Sequence, residues 1–566
     1  MRKITSMFLA LALTIALIPL SSVYAAPVVN TDYKIINRNS NKALDVAGSS
    51  NSDGANVQQW TDSGGTNQQW RLVDAGSGYY KIVSKSSGKV LDIYQKSTAD
   101  GANAQQWTDN GGTNQQWQIV DVGGGYYKIV NRNSGKVLDV TGKSTADGAN
   151  VQQWADNGGT NQQWSFVAVS GGGIGSGDIV VAPNGSASNP GTLASPTTLT
   201  SAITKVAPGG TIYMRGGTYN YSTTIIIQPD NNGSSGARKN IFAYNGEKPV
   251  LDFSAQAYSS SNRGLQVWGS YWHVKGIRVT GAGDNGIFIG GHYNIIENVE
   301  TDHNRDTGLQ ISRYSSSQTN MSDWPSNNLI LNSYSHNNYD PDNGEDADGF
   351  AAKLTVGPGN VFDGCIAAYN IDDGWDLFSK TDTGPIAPVT IRNSVAHHNG
   401  QLSDGFSTAD ADGNGFKLGG DKIAVDHIVE NSIAFLNRKH GFTYNSNPGS
   451  IAMKNNTSWK NGQAGTGSNF AFDVGTHQFT NNLSFESTSS DKTSGTDVSS
   501  SNVWWKNGQS TNGKGLVVSS ADFVSLTPSV SRNANGSPNL GNFLKLASGS
   551  DLKGAGVNGK DIGAQF

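Results

Sequence analysis

The sequence predicts an all-β protein built from two different repeats. Near the N-terminus three similar copies recur every 47 residues, with Trp60, Trp107 and Trp154 at one equivalent position. From about residue 267 a shorter unit repeats, in which Gly-aromatic or Gly-aliphatic pairs are spaced by 22 to 26 residues or by 41. Only 15% of the residues are charged and glycine numbers 71, a composition that favours short strands and tight turns over helical bundles.

The N-terminus, residues 1–25, is predicted to be a signal peptide. Arg2 and Lys3 precede the apolar run 7–20, which is short for a membrane-spanning helix, so a membrane anchor is the weaker interpretation. We therefore expect a secreted, extracellular protein. A net charge of −5 with no basic run argues against nucleic acid and membrane surfaces as partners. The single cysteine, Cys365, excludes an intrachain disulfide, and we expect a monomer.

Residues 27–169 are predicted to form one closed domain. Each copy contains Lys-x-Leu-Asp, then Gln-Gln-Trp, then Gly-Gly-Thr-Asn-Gln-Gln-Trp. A single copy is too short to bury a core, so the three copies should close on one another as a three-fold unit. The pattern resembles the ricin-B-type β-trefoil, a lectin-like domain also described as carbohydrate-binding module family 13.

This resemblance implies a sugar pocket in each copy, with an acidic acceptor, a Gln and a stacking Trp, and an Asn-Gln pair. The implied residues are Asp45, Gln58, Trp60, Asn67 and Gln68; Asp92, Gln105, Trp107, Asn114 and Gln115; and Asp139, Gln152, Trp154, Asn161 and Gln162. The Asp and Gln side chains could instead brace the fold. The second tryptophans, Trp70, Trp117 and Trp164, are expected in the core. Plant cell-wall glycans are the expected ligands of this domain.

Residues 170–177 are rich in Gly and Ser and are predicted to be a flexible linker. The remainder, 178–566, is predicted to be a solenoid. Near its start, 199–206 is expected to be a short helix introduced by Thr and stopped at Pro208. This helix would cap the open end of the solenoid, where strand edges and apolar core would otherwise be exposed.

The shorter repeat predicts a parallel β-solenoid, because a period of 22 to 26 residues with short strands and no helices is typical of stacked coils. Asparagine recurs at one turn, where it tolerates left-handed backbone and can bond to the next coil. These turn positions are Asn298, Asn332, Gly364, Asn393, Asn431 and Asn455. Residues one and three after each repeat glycine should point inward, and residues two after it outward. Two inserted segments, 312–345 and 381–413, are expected to wall that outer face.

Charged residues break into the repeat at one place. Asp348 and Asp373 directly precede a repeat glycine, and Asp372 lies one residue earlier than Asp373. Asp376 and Lys417 both follow their glycine by two residues in successive coils, so stacking at about 4.7–4.9 Å makes them neighbours. Carboxylates driven together repel one another unless a cation holds them, and hard oxygen ligands suit Ca²⁺. A lysine beside that cation is a candidate general base.

The segments DADGFAAK, DDGWDLFSK and GNGFKLGG are similar to those of pectate lyases of polysaccharide lyase family 9. The resemblance implies a right-handed parallel β-helix that cleaves α-1,4-linked galacturonan of low ester content by Ca²⁺-dependent β-elimination, giving 4,5-unsaturated oligogalacturonates. It also implies that Asp348, Asp372, Asp373 and Asp376 hold the Ca²⁺ and that Lys417 is the Brønsted base. The stretch 401–413, between Asp376 and Lys417, is not placed by this resemblance, but it leaves the motif itself intact.

Further basic residues are expected to bind uronate carboxylates of the polygalacturonate or pectin substrate: Lys353, Lys380, Arg305, Arg313 and Arg438. Two other functions remain open. A galacturonan hydrolase on the same solenoid would need two carboxylic acids and neither metal nor lysine, and Asp382, Asp404, Asp410 and Asp412 are its candidates. A glycan-binding adhesin would need no catalytic group at all.

Overall fold

The computed structural model describes residues 32–76, 78–123, 125–168, 177–533 and 535–566. The predicted signal peptide and nearly all of the predicted linker lie outside these ranges. The chain divides into two compact units, Met1–Gly173 and Ile174–Phe566.

In its described residues, the first unit is a 12-stranded antiparallel sheet that closes on itself. Its first strand pairs with its last, with Ile35 opposite Phe166. The strands are Asp32–Asn37, Ala43–Val46, Val57–Trp60, Trp70–Gly76, Tyr79–Ser84, Val90–Ile93, Ala104–Trp107, Trp117–Asp121, Tyr127–Asn131, Val137–Val140, Val151–Trp154 and Trp164–Ala168. The 3₁₀ turns are Ala47–Ser49, Thr66–Gln68, Tyr94–Lys96, Thr113–Gln115, Thr141–Lys143 and Thr160–Gln162.

The second tryptophan of each copy fills the core of this unit, as the sequence predicts. Trp70, Trp117 and Trp164 are completely buried. Each indole N–H would lose a hydrogen bond on burial unless it found an acceptor. They donate to backbone carbonyls of their own copies at 2.9, 3.0 and 3.1 Å. The three copies therefore share one core with equivalent anchors, as the β-trefoil prediction requires.

The second unit is a parallel β-helix with three sheets, defined by the register of successive coils. The first sheet contains Ile225–Ile227, Leu265–Val267, Ile287–Ile289, Leu309–Ile311, Phe350–Ala352, Trp375–Asp376, Phe416–Lys417, Phe442–Thr443 and the start of Phe470–Thr480. The second contains Ile179–Val181, Thr211–Met214, Lys239–Ala243, Trp272–Lys275, Ile295–Glu297, Leu329–Leu331, Val361–Asp363, Thr390–Arg392, Ile428–Glu430, Ala452–Lys454 and the end of Phe470–Thr480.

The third sheet has ten strands: Gly217–Asn220, Pro249–Asp252, Arg278–Thr280, Glu300–Asp302, Tyr334–His336, Ile366–Ala368, Val395–His397, Ile433–Phe435, Thr457–Trp459 and Leu483–Phe485. The C-terminal part adds Lys492–Asp497, Trp504–Lys506, Gln509–Thr511, Val517–Val518, Ser531–Arg532 and Pro538–Asn539. The 3₁₀ turns of this unit are Tyr244–Gly246, Met321–Asp323, Val498–Ser500, Ser520–Asp522 and Val557–Gly559.

The α-helix Leu199–Lys205 lies where the sequence predicts a cap. Thr198 precedes it and accepts a hydrogen bond from the backbone N–H of Ser201 at 3.3 Å, an N-cap that satisfies one free helix donor. Leu199, Ala202 and Ile203 are buried and belong to the solenoid core. The apolar face of the helix is thus part of the interior of the β-helix.

Rings that follow the repeat glycines stack along the interior of the first sheet. Phe350, Trp375, Phe416, Phe442 and Phe470 are at most 1% exposed. Successive ring centroids lie 5.0, 4.7, 4.7 and 5.1 Å apart, with interplanar angles of 28° or less. This confirms that residues one after the glycine point inward. Their stacking fixes the register of the strands that carry the charged residues.

Asparagines shape the coil corners in two ways. The predicted turn positions do adopt positive φ, from 47° to 67°, as left-handed corners require. The longest buried amide ladder among the described residues runs through other positions. It contains Asn304, Asn338, Asn370, Asn399, Asn437, Asn461 and Asn469, with hydrogen bonds of 2.8 to 3.0 Å between successive side chains.

The prediction that 312–345 and 381–413 are inserted loops is wrong. Each segment contains two regular strands of the solenoid, and its extra residues are divided between shorter connections.

Candidate functional site

The charged residues lie on, or within three residues of, three neighbouring strands of the first sheet, Phe350–Ala352, Trp375–Asp376 and Phe416–Lys417. Phe350 is opposite Trp375, which is opposite Phe416, and in the same register Asp376 is opposite Lys417. Because alternate residues of a strand face opposite sides, the inward rings place Asp376 and Lys417 on the outer side. The predicted neighbourhood of these two residues is therefore confirmed.

Three of the predicted carboxylates converge closely. Asp348, Asp372 and Asp373 each offer an oxygen within 4.8 Å of the other two. Within the described residues, Asp348 Oδ1 and Asp376 Oδ1 are buried and have no hydrogen-bond partner, and the buried Asp373 Oδ2 has only the amine of Lys417 beside it, at 3.1 Å. A buried carboxylate oxygen without a partner is costly, and a cation that takes oxygen ligands relieves that cost. The donor set fits Ca²⁺, which binds several carboxylate oxygens at once.

Neighbouring backbone and side chains hold the cluster in place. Asp373 Oδ1 accepts from the backbone N–H and the side-chain amide of Asn414, at 2.6 and 2.9 Å. Asp348 Oδ2 accepts from the Thr307 hydroxyl at 3.1 Å. Asp372 Oδ1 accepts from the backbone N–H of Asp412 at 2.6 Å. These bonds use one oxygen of each aspartate and orient the other.

Two lysines enter the cluster from opposite sides. Lys417 Nζ lies 3.1 Å from Asp373 Oδ2 and 3.6 Å from Asp412 Oδ2. Lys353 Nζ lies 2.8 Å from Asp348 Oδ2 and 3.5 Å from Asp376 Oδ2. Both lysine side chains are largely buried, at 12% and 8% exposed. Lys353 thus neutralises part of the acidic cluster. It lies among the predicted metal ligands, whereas the sequence suggests that it binds substrate.

Burial and neighbouring charges have opposing effects on the pKa values of the residues in this cluster. Burial raises the pKa of Asp348 and Asp372 well above the usual value and that of Asp373 to about 6. Burial also lowers the pKa of Lys417. The carboxylates of Asp373 and Asp376 raise it by more, and the resulting pKa lies well above that of an ordinary lysine. A cation on these oxygens would offset the negative charge that favours the protonated lysine.

The other predicted basic residues are not drawn into this cluster. The Arg305 guanidinium donates to the backbone carbonyl of Gln256 at 3.0 Å, and that of Arg313 donates to the carbonyl of Gln318 at 2.9 Å. In the part of the chain that the structure describes, neither Lys380 nor Arg438 forms an ion pair with the aspartates. Arg305 and Arg313 each use one guanidinium nitrogen to fix a loop, and their binding of substrate carboxylates stays a prediction.

The sequence motifs do not identify three residues that orient the aspartates: Thr307, Asn414 and Asp412. Asp412 is a candidate there only for hydrolysis, yet its carboxylate contacts both Lys417 and Lys439. Asn414 directly precedes the repeat glycine Gly415, as Asp373 directly precedes Gly374. This shared repeat position is a signal in the sequence that could have identified Asn414. Thr307 holds the same offset before Gly308.

The implied sugar pockets of the first unit show one arrangement in all three copies. Asp45 Oδ1 accepts from the Gln58 amide at 2.9 Å and Asp45 Oδ2 from the Asn67 amide at 2.8 Å. The equivalent distances are 2.9 and 2.7 Å around Asp92, and 3.0 and 2.7 Å around Asp139. Beside these pairs, Trp60, Trp107 and Trp154 stay 43%, 38% and 40% exposed. A half-exposed ring next to an oriented carboxylate offers a stacking face and polar groups together.

The glutamines Gln68, Gln115 and Gln162 do not fit the implied pockets. All three are completely buried. Their Oε1 atoms accept from backbone N–H groups at 2.8, 3.0 and 2.9 Å, and their Nε2 atoms donate to backbone carbonyls at 3.0 to 3.1 Å. This bonding braces the loop of each copy and corrects the expectation that these side chains contact sugar.

Residues 179–483 match the family described as Pel9A-like, right-handed beta helix region. The chain belongs to this family of pectate lyases. The family relatives include a Pectate lyase L from Paenibacillus polymyxa (strain SC2), 69% identical over 392 residues that cover 69% of this chain and 86% of the relative. A Pectate lyase L from Dickeya chrysanthemi is 37% identical over 394 residues, which cover 68% and 86% of the two chains.

Structural comparison agrees with this membership. The crystal structure of pectate lyase Pel9A superposes with a TM-score of 0.59 and 36% sequence identity, covering 69% of this chain and 96% of the other. Residues 23–107 and 113–190 match the ricin-type beta-trefoil lectin domain-like family. Both resemblances that the motifs suggest, and the all-β fold, are confirmed. Across the described ranges, the helices are too short or too polar to traverse a lipid bilayer.

Proposed function

We propose that this protein is a secreted, Ca²⁺-dependent pectate lyase that cleaves low-ester α-1,4-galacturonan by β-elimination. One observation carries the proposal: buried carboxylate oxygens of Asp348 and Asp376 have no hydrogen-bond partner, and in the same cluster the amine of Lys417 lies 3.1 Å from Asp373. Oxygen ligands and a base within one cluster are what elimination beside a uronate carboxylate requires. The family relatives named pectate lyase support the same activity.

Asp348, Asp372, Asp373 and Asp376 would hold the Ca²⁺. When bound, Ca²⁺ supplies positive charge that draws electron density from the substrate carboxylate and acidifies the neighbouring C5–H bond. Asn414 and Thr307 keep the aspartates oriented for metal binding through the bonds described above.

Lys417 serves as the general base in this proposal. Its neutral amine takes the proton from C5, the C5–H electrons form the 4,5 double bond, and the glycosidic oxygen on C4 leaves with its bonding pair. The amine acts only after it has lost its own proton, and the surrounding carboxylates resist that loss. The rate should therefore rise toward alkaline pH.

The hydrolytic alternative is less well supported by the geometry. It needs two carboxylic acids flanking the bond and no lysine. Of its candidates, Asp412 lies at the cluster, but both of its oxygens face lysines, Lys439 and Lys417. A lysine within ion-pair distance keeps a carboxyl group ionised and therefore unable to protonate a leaving group.

The trefoil unit is proposed to retain the enzyme on plant cell walls through its three pockets. Support comes from the exposed Trp60, Trp107 and Trp154 rings beside oriented carboxylates. Export is proposed from the charged, apolar and small-residue pattern of 1–25. The mature N-terminus should then be Ala26, which N-terminal sequencing of protein recovered from the medium would test.

The decisive test is incubation with de-esterified polygalacturonate, with and without a chelator. Elimination gives ultraviolet absorbance from the unsaturated uronide, and chelation followed by added Ca²⁺ should abolish and restore it. Reducing ends without that absorbance would establish hydrolysis instead. Binding without any cleavage would establish the adhesin. Full activity after exhaustive chelation would remove Ca²⁺ from the proposal.

A further inference from the structure

The segment 401–413, which joins two strands of the solenoid, delivers one residue into the acidic cluster. It follows the strand Val395–His397 and ends just before Phe416–Lys417. Its backbone is tied down at one end, where the N–H of Ser403 donates to Asn337 Oδ1 at 2.9 Å. At the other end, the N–H of Lys439 donates to the carbonyl of Gly413 at 2.9 Å.

Asp412, near the end of this segment, makes three contacts through two different parts of the residue. Its backbone N–H donates to Asp372 Oδ1 at 2.6 Å. Its Oδ2 lies 3.6 Å from Lys417 Nζ, and its Oδ1 accepts a hydrogen bond from Lys439 Nζ. The backbone therefore contacts a proposed metal ligand, whereas the side chain contacts the proposed base.

The position of the Lys417 amine depends on few partners. A lysine has a long, flexible side chain, so an amine held by a single contact samples several rotamers. Lys417 Nζ has two carboxylates within 4 Å, Asp373 and Asp412. Asp373 belongs to the proposed Ca²⁺ ligands, and Asp412 lies outside the group of aspartates whose oxygens converge.

We propose that Asp412 is a positioning residue, which holds the amine of Lys417 at the place where it meets the substrate and is itself fixed by Lys439. The proposal rests on the proposed function, since it assigns a role relative to the base of that reaction. It gives the inserted segment 401–413 a function, because one of its residues orients both a metal ligand and the base. Removal of the Asp412 side chain should leave the backbone bond to Asp372 intact and so separate these two effects.

The experiment compares Asp412→Ala, Asp412→Asn and Lys439→Met in the full-length protein. The control is Ser403→Ala, because Ser403 is exposed in the same segment and its hydroxyl plays no part in the anchoring bond. For each protein, kcat and KM on polygalacturonate are measured, together with Ca²⁺ affinity by calorimetry and the melting temperature.

Asp412→Ala should lower kcat by about 10- to 100-fold, the range expected when a reacting group is misplaced by an ångström or less. KM and Ca²⁺ affinity should stay at wild-type values. Asp412→Asn should recover most of the turnover, because its single amide oxygen can take the place of Asp412 Oδ2 beside the Lys417 amine. Lys439→Met should lower kcat less than Asp412→Ala, and Ser403→Ala should change nothing.

Wild-type kcat in Asp412→Ala would overturn the proposal. A loss of kcat accompanied by an equal loss of Ca²⁺ affinity would also overturn it, because that result is expected if the residue only supports the structure of the site. Asp412→Asn that is as slow as Asp412→Ala would do the same. If the wild-type protein forms no unsaturated product, the proposed function is wrong and so is the role of Asp412. If only the variants give an unexpected result, the proposed function stands and only the role of Asp412 is wrong.

Discussion

Lys417 and Asp376 are direct partners in the register of neighbouring parallel strands, yet the amine of Lys417 lies 3.1 Å from a different carboxylate, Asp373. Asp376 is approached instead by Lys353, at 3.5 Å. The two lysines thus divide the acidic cluster between them. This division suggests that the two lysines have separate roles, which substitutions can distinguish.

Replacement of Lys417 by arginine should damage the enzyme as much as replacement by alanine. Arginine keeps the positive charge but stays protonated at any working pH, so it cannot accept the C5 proton. Loss of a general base typically lowers the rate by about 10²- to 10⁴-fold. Initial rates of unsaturated product for Lys417→Arg and Lys417→Ala provide the measurement.

Lys454→Arg is a suitable control for that experiment, because Lys454 is exposed on the second sheet and should tolerate arginine without loss of rate. Near-normal turnover in Lys417→Ala, with Ca²⁺ affinity intact, would assign the base to another residue. Lys353 would then be the next candidate, because it also lies among the aspartates.

Asp373→Asn should remove most of the stabilisation that Ca²⁺ confers. A ligand present at 100 times its Kd stabilises the folded state by about 2.7 kcal/mol, which appears as an increase in melting temperature. Asn keeps the size of the side chain but removes a charged ligand oxygen from the centre of the cluster. Melting curves with and without Ca²⁺ should show a clear shift for the wild type and a much smaller one for the variant; equal shifts would place the ion elsewhere.

The sequence was sufficient to predict the parts of the site that follow the repeat. Alternation along a strand and stacking of coils convert an offset from the glycine into a position, so the neighbouring places of Asp376 and Lys417 could be worked out. Asp412 could not be placed this way, because an inserted segment has no register with the coils above and below it. Contacts of that kind depend on how a loop folds back.

The same distinction explains the other differences. Turn asparagines such as Asn298 were predictable from backbone preference, since left-handed corners favour Asn. Which asparagines form the buried ladder depends on the direction of each side chain, and the ladder in fact runs through residues such as Asn399. Likewise, Gln58 and Gln68 have similar sequence surroundings, but only the structure shows that Gln68 is bonded to its own loop.

Substitution of the exposed trefoil tryptophans should weaken binding without affecting catalysis. Trp60→Ala, Trp107→Ala and Trp154→Ala, combined in one protein, remove the proposed stacking faces. Retention on insoluble plant cell wall should fall, whereas the rate on soluble polygalacturonate should stay at the wild-type value. A pull-down assay beside a lyase assay measures both.

Trp70→Ala is the informative contrast for that experiment. Trp70 is completely buried, so its loss should destabilise the trefoil by about 3–5 kcal/mol rather than remove a binding surface. Unchanged retention of the triple variant, with a folded trefoil, would exclude these rings from glycan binding.

Stability should decrease in acid because of buried neutral histidines, and His427 offers the cleanest test. Its ring is completely buried, its Nδ1 accepts from the backbone N–H of Val389 at 3.1 Å, and burial lowers its pKa to about 3. An unfolded histidine has a pKa of about 6.5. Between these two values the unfolded chain binds a proton that the folded protein excludes, so stability falls as pH decreases from about 6.5 to about 3.

His427→Asn should reduce that dependence on pH. Asparagine can accept the same backbone hydrogen bond, as Asn360 does from Asn328 in a neighbouring coil, but it does not titrate. The variant should carry a constant cost from lost packing, whereas its unfolding free energy should fall less steeply than that of the wild type, by up to about 1.4 kcal/mol per pH unit. Denaturant unfolding at pH 6, 5 and 4 measures the two slopes. Parallel curves would show that His427 takes up its proton at the same pH in the folded and the unfolded protein, and that the acid sensitivity has another source.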